Sequence, residues 1–316
     1  MAVKNQIVSD NYSLYNGDCC EVVPSLPDNS VGFSVFSPPF CQLYSYSDSQ
    51  ADMGNSRSYK EFFQHFGFLI KELHRVTKPG RNVAVHCMDL PINKGDFGYI
   101  GLRDFPGDLI KAFRKVGFIY HSRICIWKDP LLAAVRTHAI GLAHKQAVKD
   151  SSMIRAGIPD TLLTFRKKGE NTKPISNENG LTTYHGSRSI PKNLDRFMGH
   201  IEQKTNKRSH WIWQQYASPV WWDIRQTKVL SYRKGKAADD DKHICPLQLD
   251  TIERCMTMWS TKGDIVLTPF MGIGSEVYVA VKNGRKAIGI ELKESYYKQA
   301  VKTISSIGKR KVFKNE

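Results

Sequence analysis

Between Gly263 and Val301 the chain reads "GDIVLTPFMGIGSEVYVAVKNGRKAIGIELKESYYKQAV". The pattern predicts a strand over Ile265 to Leu267, a turn holding Gly272 and Gly274, a helix over Ser275 to Lys282, a strand over Lys286 to Glu291 and a further helix. Two strands joined through a helix pair in parallel, and parallel sheets need helices on both faces. Ligands of such sheets bind beyond the carboxyl ends of the strands. Gly272 and Gly274 permit a tight turn and close approach of a ligand to the backbone, and the helix that follows starts with free N–H groups.

Glu291 closes the second strand 17 residues after Gly274, near the spacing at which an acidic side chain reaches ribose hydroxyls. The third position after Gly274 is Val277, where a pyrophosphate-binding turn would carry a third glycine. A ligand with a nucleoside and no phosphates fits better, and S-adenosylmethionine is one. The alternative is a structural βαβ unit in which Glu291 caps a helix.

The first half of the chain has the same rhythm. "YSLYNGDCCEVVPSL" gives a short strand, a Gly17-Asp18 turn and a short helix, and Val31, Phe33, Val35 and Phe36 give a buried strand. Ser37-Pro38-Pro39-Phe40 ends that strand, because neither proline can donate to a ladder and both stiffen the backbone around them. Ser37 and Pro38 are then extended at a sheet's carboxyl edge, with the alternative that Phe40 simply caps the core. From Tyr59 to Val76 the apolar residues Phe62, Phe66, Leu69, Ile70, Leu73 and Val76 recur at helical spacing, and Thr77-Lys78-Pro79-Gly80 stops the helix. "NVAVHCM", "DLIKAFRKVGF" and "IYHSRICIW" follow as strand, helix and strand, predicting a mostly parallel α/β sheet.

Charge points to the partner. Of 316 residues, 46 are Lys or Arg and 30 Asp or Glu, a formal net charge of +16, which suits a polyanion such as nucleic acid. The stretch from Ser151 to Lys236 alone holds 16 Lys and Arg against 6 Asp and Glu, or +10. It also carries Trp211, Trp213, Trp221 and Trp222 among Gly, Asn and Ser clusters, and so reads as a loop-rich insertion. Basic and aromatic residues together suit phosphate contacts and base stacking, against the plainer reading of a basic surface over a small Trp-stabilised subcore. Seven cysteines form no CxxC pair, which argues against a disulfide framework and a zinc site, so no metal is expected. With no signal segment and no apolar run near 18 residues, the expected compartment is the cytoplasm, with no membrane partner.

Taken together, these motifs resemble the DNA amino-methyltransferases that methylate exocyclic amines of cytosine or adenine, in the arrangement called the β class. Ser37-Pro38-Pro39-Phe40 is similar to the family's catalytic (D/N/S)PP(Y/F) motif, and "TPFMGIGSE" to its DPFxGxG cofactor loop. "YNGDCCEVVPSLPDNSV" looks like the family's lead-in, whose Asp, here Asp18, lies near the cofactor adenine. "KHICPLQLDTIERCM" is similar to the segment before the cofactor loop, with His243 and Pro246 matching. The resemblance covers roughly residues 12 to 128 and 240 to 302. It implies a circularly permuted Rossmann-like methyltransferase sheet with an inserted target-recognition lobe. The expected organisation is a catalytic half over 1–130, a DNA-binding insertion over 131–238 and a cofactor-binding half over 239–316. It further implies S-adenosyl-L-methionine as cofactor, double-stranded DNA as substrate and a restriction-modification setting, and it admits a homodimer. The cofactor residues it implies are Asp18, Ser37, Pro246, Thr268, Pro269, Phe270, Gly272, Gly274 and Glu291. Thr268 stands where the family usually has Asp, so a carboxylate contact to the methionine amino group is weakened or supplied elsewhere.

The chemistry accounts for the proline-bound strand end. An exocyclic amine has its lone pair delocalised into the ring and needs acceptors to draw its N–H groups out of plane. Ser37 Oγ and the Pro38 carbonyl are the candidate acceptors, with Phe40 stacking on a base flipped out of the duplex. Serine is a weak base, so the proton is expected to leave during or after methyl transfer, and positioning supplies most of the rate. The polar stretch Ser45 to Ser58 is read as a loop that closes over the pocket. Within the resembled family Ser at the first motif position goes with cytosine N4 and Asp with adenine N6, which favours cytosine here. The other readings are adenine N6, an RNA or protein methyltransferase, and a catalytically weak nucleic-acid-binding relative. Attack through Cys41 on a ring carbon is disfavoured, because Cys41 lies one residue late and lacks the Glu-Asn-Val partner.

Overall fold

The computed structural model describes residues 3–40, 52–56, 58–92, 94–137, 139–194, 206–231 and 246–309. Their elements in chain order begin with β1 (Val3–Val8), β2 (Tyr12–Gly17), α1 (Cys19–Val22), β3 (Phe33–Phe36), α2 (Tyr59–Val76), β4 (Asn82–Cys87), β5 (Leu90–Ile92), α3 (Lys94–Phe97), β6 (Gly101–Arg103), α4 (Phe105–Val116) and β7 (Ile119–Ile126). They continue with α5 (Pro130–Thr137), α6 (His144–Lys149), β8 (Asp160–Arg166), α7 (Lys207–Ala217), β9 (Val220–Trp221), α8 (Leu249–Trp259), β10 (Ile265–Thr268), α9 (Ser275–Lys282), β11 (Lys286–Glu291) and α10 (Glu294–Lys309).

Nine strands form one sheet in the order β1-β2-β11-β10-β3-β4-β8-β7-β9. The five strands from β2 to β4 run parallel, as the βαβ reading of both chain ends requires. β1 joins antiparallel at one edge, and β8 runs antiparallel between β4 and β7. The fold is therefore a mixed, mostly parallel Rossmann-like sheet assembled from both ends of the chain. β8 lies inside the stretch expected to be a separate insertion, yet it pairs with β4 over six residues from Asn82 to Cys87. Its buried run Leu162, Leu163, Thr164 and Phe165 is hydrophobic enough to sit in the middle of a sheet. The expected lobe over 131–238 is thus interrupted by β8 and β9, which belong to the sheet.

Two apolar layers hold the sheet. On one face α2 and α4 pack Phe62, Phe66, Leu69, Leu73, Leu109 and Phe113 against Phe36, Val83 and Val85. On the other, Ile252, Cys255, Met256, Val277 and Ala300 from α8, α9 and α10 pack against Phe33, Val35 and Val266. β3 is buried on both faces because its side chains alternate between these layers. α2 starts where Ser58 Oγ accepts the Glu61 N–H at 3.1 Å, and it ends at Thr77, whose hydroxyl donates to the Leu73 carbonyl. Among the described residues no helix is long and apolar enough to cross a membrane.

Candidate active site

Parallel pairing decides the site. Val266 and Leu267 of β10 sit opposite Phe33 and Ser34 of β3, so the loop after β10 and the Ser-Pro-Pro-Phe segment after β3 leave the same sheet edge side by side. Phe270 and Phe36 confirm the contact, with ring centroids 5.7 Å apart. On the other side of β10, Glu291 ends β11 opposite Asn16 of β2, and Asp18 follows one residue after that strand. One edge therefore gathers Asp18, Ser37, Thr268, Gly272 and Glu291, although the chain separates Asp18 from Glu291 by 273 residues.

The two glycines of the loop after β10 have different reasons. Gly272 has φ +54°, and a Cβ built there would meet nothing, so the space beside it is open to a ligand. Gly274 has φ +93°, but a Cβ there would lie 3.2 Å from the Ala300 Cβ, so this glycine lets α10 pack close. The Glu291 carboxylate holds the turn: Oε2 accepts the Gly272 N–H at 2.8 Å and Oε1 the Lys293 N–H at 2.8 Å. Burial pushes this carboxyl up to about 7, despite those two hydrogen bonds. Glu276, in the first turn of α9, is pushed up to about 8, first by burial and then by the Glu291 charge.

Asp18 caps α1 by accepting the Cys20 N–H at 2.8 Å, and burial raises its carboxyl above the usual range. The Thr268 hydroxyl is buried without a partner at the end of β10. The Phe270 ring packs between Phe36 and Phe66, so its side chain belongs to the core under the loop, and Pro269 precedes it on the same turn. Pro246 stands two residues before Gln248, the N-cap of α8. Phe40 lies edge-on to Phe105, with centroids 6.3 Å apart. His243, Cys41 and most of the loop expected to close over the pocket lie outside the described residues. Asp52–Ser56 are described, and Met53 there is buried in the core. The residues at this edge fit a nucleoside cofactor: an open glycine turn, a carboxylate with lone pairs to spare beyond its two backbone bonds, and an orphaned buried hydroxyl.

Three polar residues that the strand pattern did not single out complete the site. Ser37 Oγ lies 2.9 Å from His86 Nδ1, His86 Nε2 lies 3.2 Å from Asp160 Oδ2, and Lys128 Nζ lies 2.5 Å from Asp160 Oδ1. The sheet brings them together, since Phe36 pairs with Val85 and His86 with Leu162. The available signal was a histidine inside the otherwise apolar strand "NVAVHC", next to the strand that carries Ser37. Burial alone would raise the Asp160 carboxyl, but His86 and Lys128 more than offset it and hold it below the usual range.

A sequence profile of the N6/N4 amino-methyltransferases, described as DNA methylase, matches residues 31–302. The chain belongs to this DNA methylase family. It is 43% identical over 295 residues to the type II methyltransferase M1.MboII of Moraxella bovis, covering 91% of this chain and 94% of that one. Identity to M.BglII of Bacillus subtilis is 25% over 92% of this chain and 68% of the relative, and to M.BamHI of Bacillus amyloliquefaciens 25% over 92% and 56%. The fold is similar to that of a Thermus thermophilus DNA modification methylase complexed with S-adenosyl-L-methionine (TM-score 0.61, 22% identity, 94% and 95% of the two chains). It is also similar to that of the cytosine-N4-specific PvuII DNA methyltransferase (TM-score 0.62, 17% identity, 98% and 95%). In this methylase β3, which leads into Ser37-Pro38-Pro39-Phe40, precedes β10, which leads into the Gly272 turn, in the chain and neighbours it in the sheet.

A second polar cluster is structural. His185, Asp250 and Glu253 stand close enough to ligate a metal. However, Arg225 and Lys228 already bind Asp250 at 2.7 and 2.9 Å, and His185 and Lys228 bind Glu253 at 2.8 and 2.9 Å. Two cations of the basic middle segment are thus spent on clamping it to α8. Its aromatics divide as well: Trp221 is fully buried beside the Arg254 guanidinium, while Trp213 and Trp222 are exposed.

Proposed function

We propose that this methylase transfers the methyl group of S-adenosyl-L-methionine to the exocyclic amine of a base flipped out of double-stranded DNA, with cytosine N4 preferred to adenine N6. The observation that carries the reading is the side-by-side placement of the Ser37 hydroxyl and the open Gly272 turn on neighbouring strands. When bound, the cofactor supplies an electrophilic methyl whose bonding pair stays with sulfur.

Glu291 would hold the ribose hydroxyls, Asp18 would lie by the adenine, and Pro246, Pro269, Phe270 and Gly274 would shape the cofactor pocket. Thr268 would face the methionine end without a carboxylate. Ser37 Oγ and the Pro38 carbonyl would accept the two amine hydrogens, with Pro39 fixing their direction and Phe40 stacking on the base. Holding the amine in line with the methyl supplies rate by orientation rather than by strong base. Residues of the 131–238 stretch outside β8 and β9 would form the DNA-facing lobe, where Arg188 lies 4.8 Å from the exposed Trp222 ring.

The test is to incubate the purified protein with unmodified duplex DNA and the cofactor, digest the DNA and identify methylated nucleosides by mass spectrometry. N4-methylcytosine is expected. N6-methyladenine alone would overturn the choice of base, and no methylated nucleoside would overturn the activity.

A further inference from the structure

We propose that the proton released from the methylated amine passes to Ser37 Oγ while the Ser37 hydroxyl proton passes to His86 Nδ1, with Asp160 fixing the imidazole and Lys128 fixing Asp160. The inference rests on the amino-methyltransferase reading above and adds the proton's destination. An amine nitrogen that gains a methyl group becomes cationic, and its N–H pair must return to nitrogen as the proton leaves. A serine hydroxyl is too weak a base to keep that proton, but it can hand on its own. In the balanced step one N–H bond breaks, a new O–H bond forms at Ser37, the old O–H bond breaks, and an N–H bond forms at Nδ1. The imidazolium that results faces a carboxylate.

The arrangement has the polarity such a relay needs. Asp160 is an acceptor only, so although its 3.2 Å approach to Nε2 is not aligned as a hydrogen bond, its negative charge favours the tautomer with the proton on Nε2 and leaves Nδ1 bare toward the Ser37 hydroxyl at 2.9 Å. Lys128, at 2.5 Å on the other carboxylate oxygen, adds to the His86 contact in keeping Asp160 ionised where its side chain is 3% exposed. Water reaches His86 little, since its side chain is 10% exposed, so its partner on the Nδ1 side is the serine. A buried His–Asp pair that merely ties β4 to β8 would not need a hydroxyl of the catalytic motif on its other nitrogen. His86 acts through Ser37 and is a positioning and proton-accepting residue rather than a base that touches DNA. Among the described residues the groups facing it are Ser37 after β3 and Asp160 at the start of β8, with Lys128 after β7 behind Asp160. Burial first, and then the Asp160 charge, raises the Cys87 and Cys125 thiols.

The test measures single-turnover methylation of duplex DNA by the full chain from pH 5.5 to 9, for the native protein, His86→Asn and Asp160→Asn. An asparagine at position 86 can still accept the serine hydrogen bond but cannot take a proton. The native rate is expected to fall on the acid side. His86→Asn should lose about a hundredfold at neutral pH, lose that acid limb, and keep cofactor and DNA affinity. An unchanged rate, or an acid limb that survives in His86→Asn, overturns the relay. Native protein that methylates no DNA sinks the underlying activity instead, so the two failures are distinguishable. Nitrogen-15 NMR of histidine-labelled native protein, which requires no substitution at position 86, gives an independent readout. A bare Nδ1 and a protonated Nε2 at neutral pH support the relay, and the opposite tautomer overturns it.

Discussion

Glu291 Oε2 accepts the Gly272 N–H at 2.8 Å, which locks the last residue of β11 to the open turn after β10. The same carboxylate is the proposed ribose acceptor. Glu291→Ala should weaken S-adenosylmethionine binding by about 1.5 to 3 kcal/mol, the range for charge-assisted hydrogen bonds, read by calorimetric titration. Because burial lifts this carboxyl to about 7, its ionised, accepting form grows as pH rises through that value, and affinity should rise with it. Unchanged affinity in Glu291→Ala would leave the residue a purely structural latch.

Ser37→Ala keeps the Pro38 carbonyl and deletes one acceptor. Turnover should fall at least about tenfold, the equivalent of roughly 1.4 kcal/mol of barrier, with cofactor affinity unchanged. Turnover near that of the native protein would mean that the backbone alone orients the amine.

The clamp between the middle segment and α8 should make the protein acid-sensitive. Burial would raise the Glu253 carboxyl, but hydrogen bonds from His185 and Lys228 bring it down from 4.5 to about 2. A carboxyl depressed in the folded state stabilises above its unfolded value, and that stability is lost as pH falls from 4.5 through about 2. The loss should be on the order of 3 kcal/mol over that interval, measured by chemical denaturation at stepped pH. Glu253→Gln should be less stable at pH 7 and show a shallower acid slope.

DNA affinity should fall by orders of magnitude between about 50 and 200 mM salt if several phosphates are neutralised. Arg225 and Lys228 will contribute little to that slope, since both are bound to Asp250. A flat salt profile in a fluorescence-anisotropy titration would return the basic segment to ordinary surface.

The local patterns were legible because they depend on neighbours in the chain. The α9 helix over Ser275–Lys282, the β11 strand over Lys286–Glu291 and the buried face of α2 from Phe62 to Val76 follow from residue spacing and from turn residues. The two proline-stopped and glycine-turned strand ends are of the same kind, and they pointed to both halves of the site. What the spacing could not carry was pairing. β8 lies in a stretch rich in turn signals, and only the contacts of Leu162, Leu163 and Phe165 with the core place it between β4 and β7. His86, Asp160 and Lys128 meet for that reason alone: strand order sets which strand ends face each other, and burial of apolar faces across the sheet sets strand order. The sequence by itself determined the strands, helices and turns that flank the middle segment, among them β3, α2, α9 and β11. Only the tertiary structure decided that the hydroxyl of Ser37 faces His86 and, behind it, a paired carboxylate.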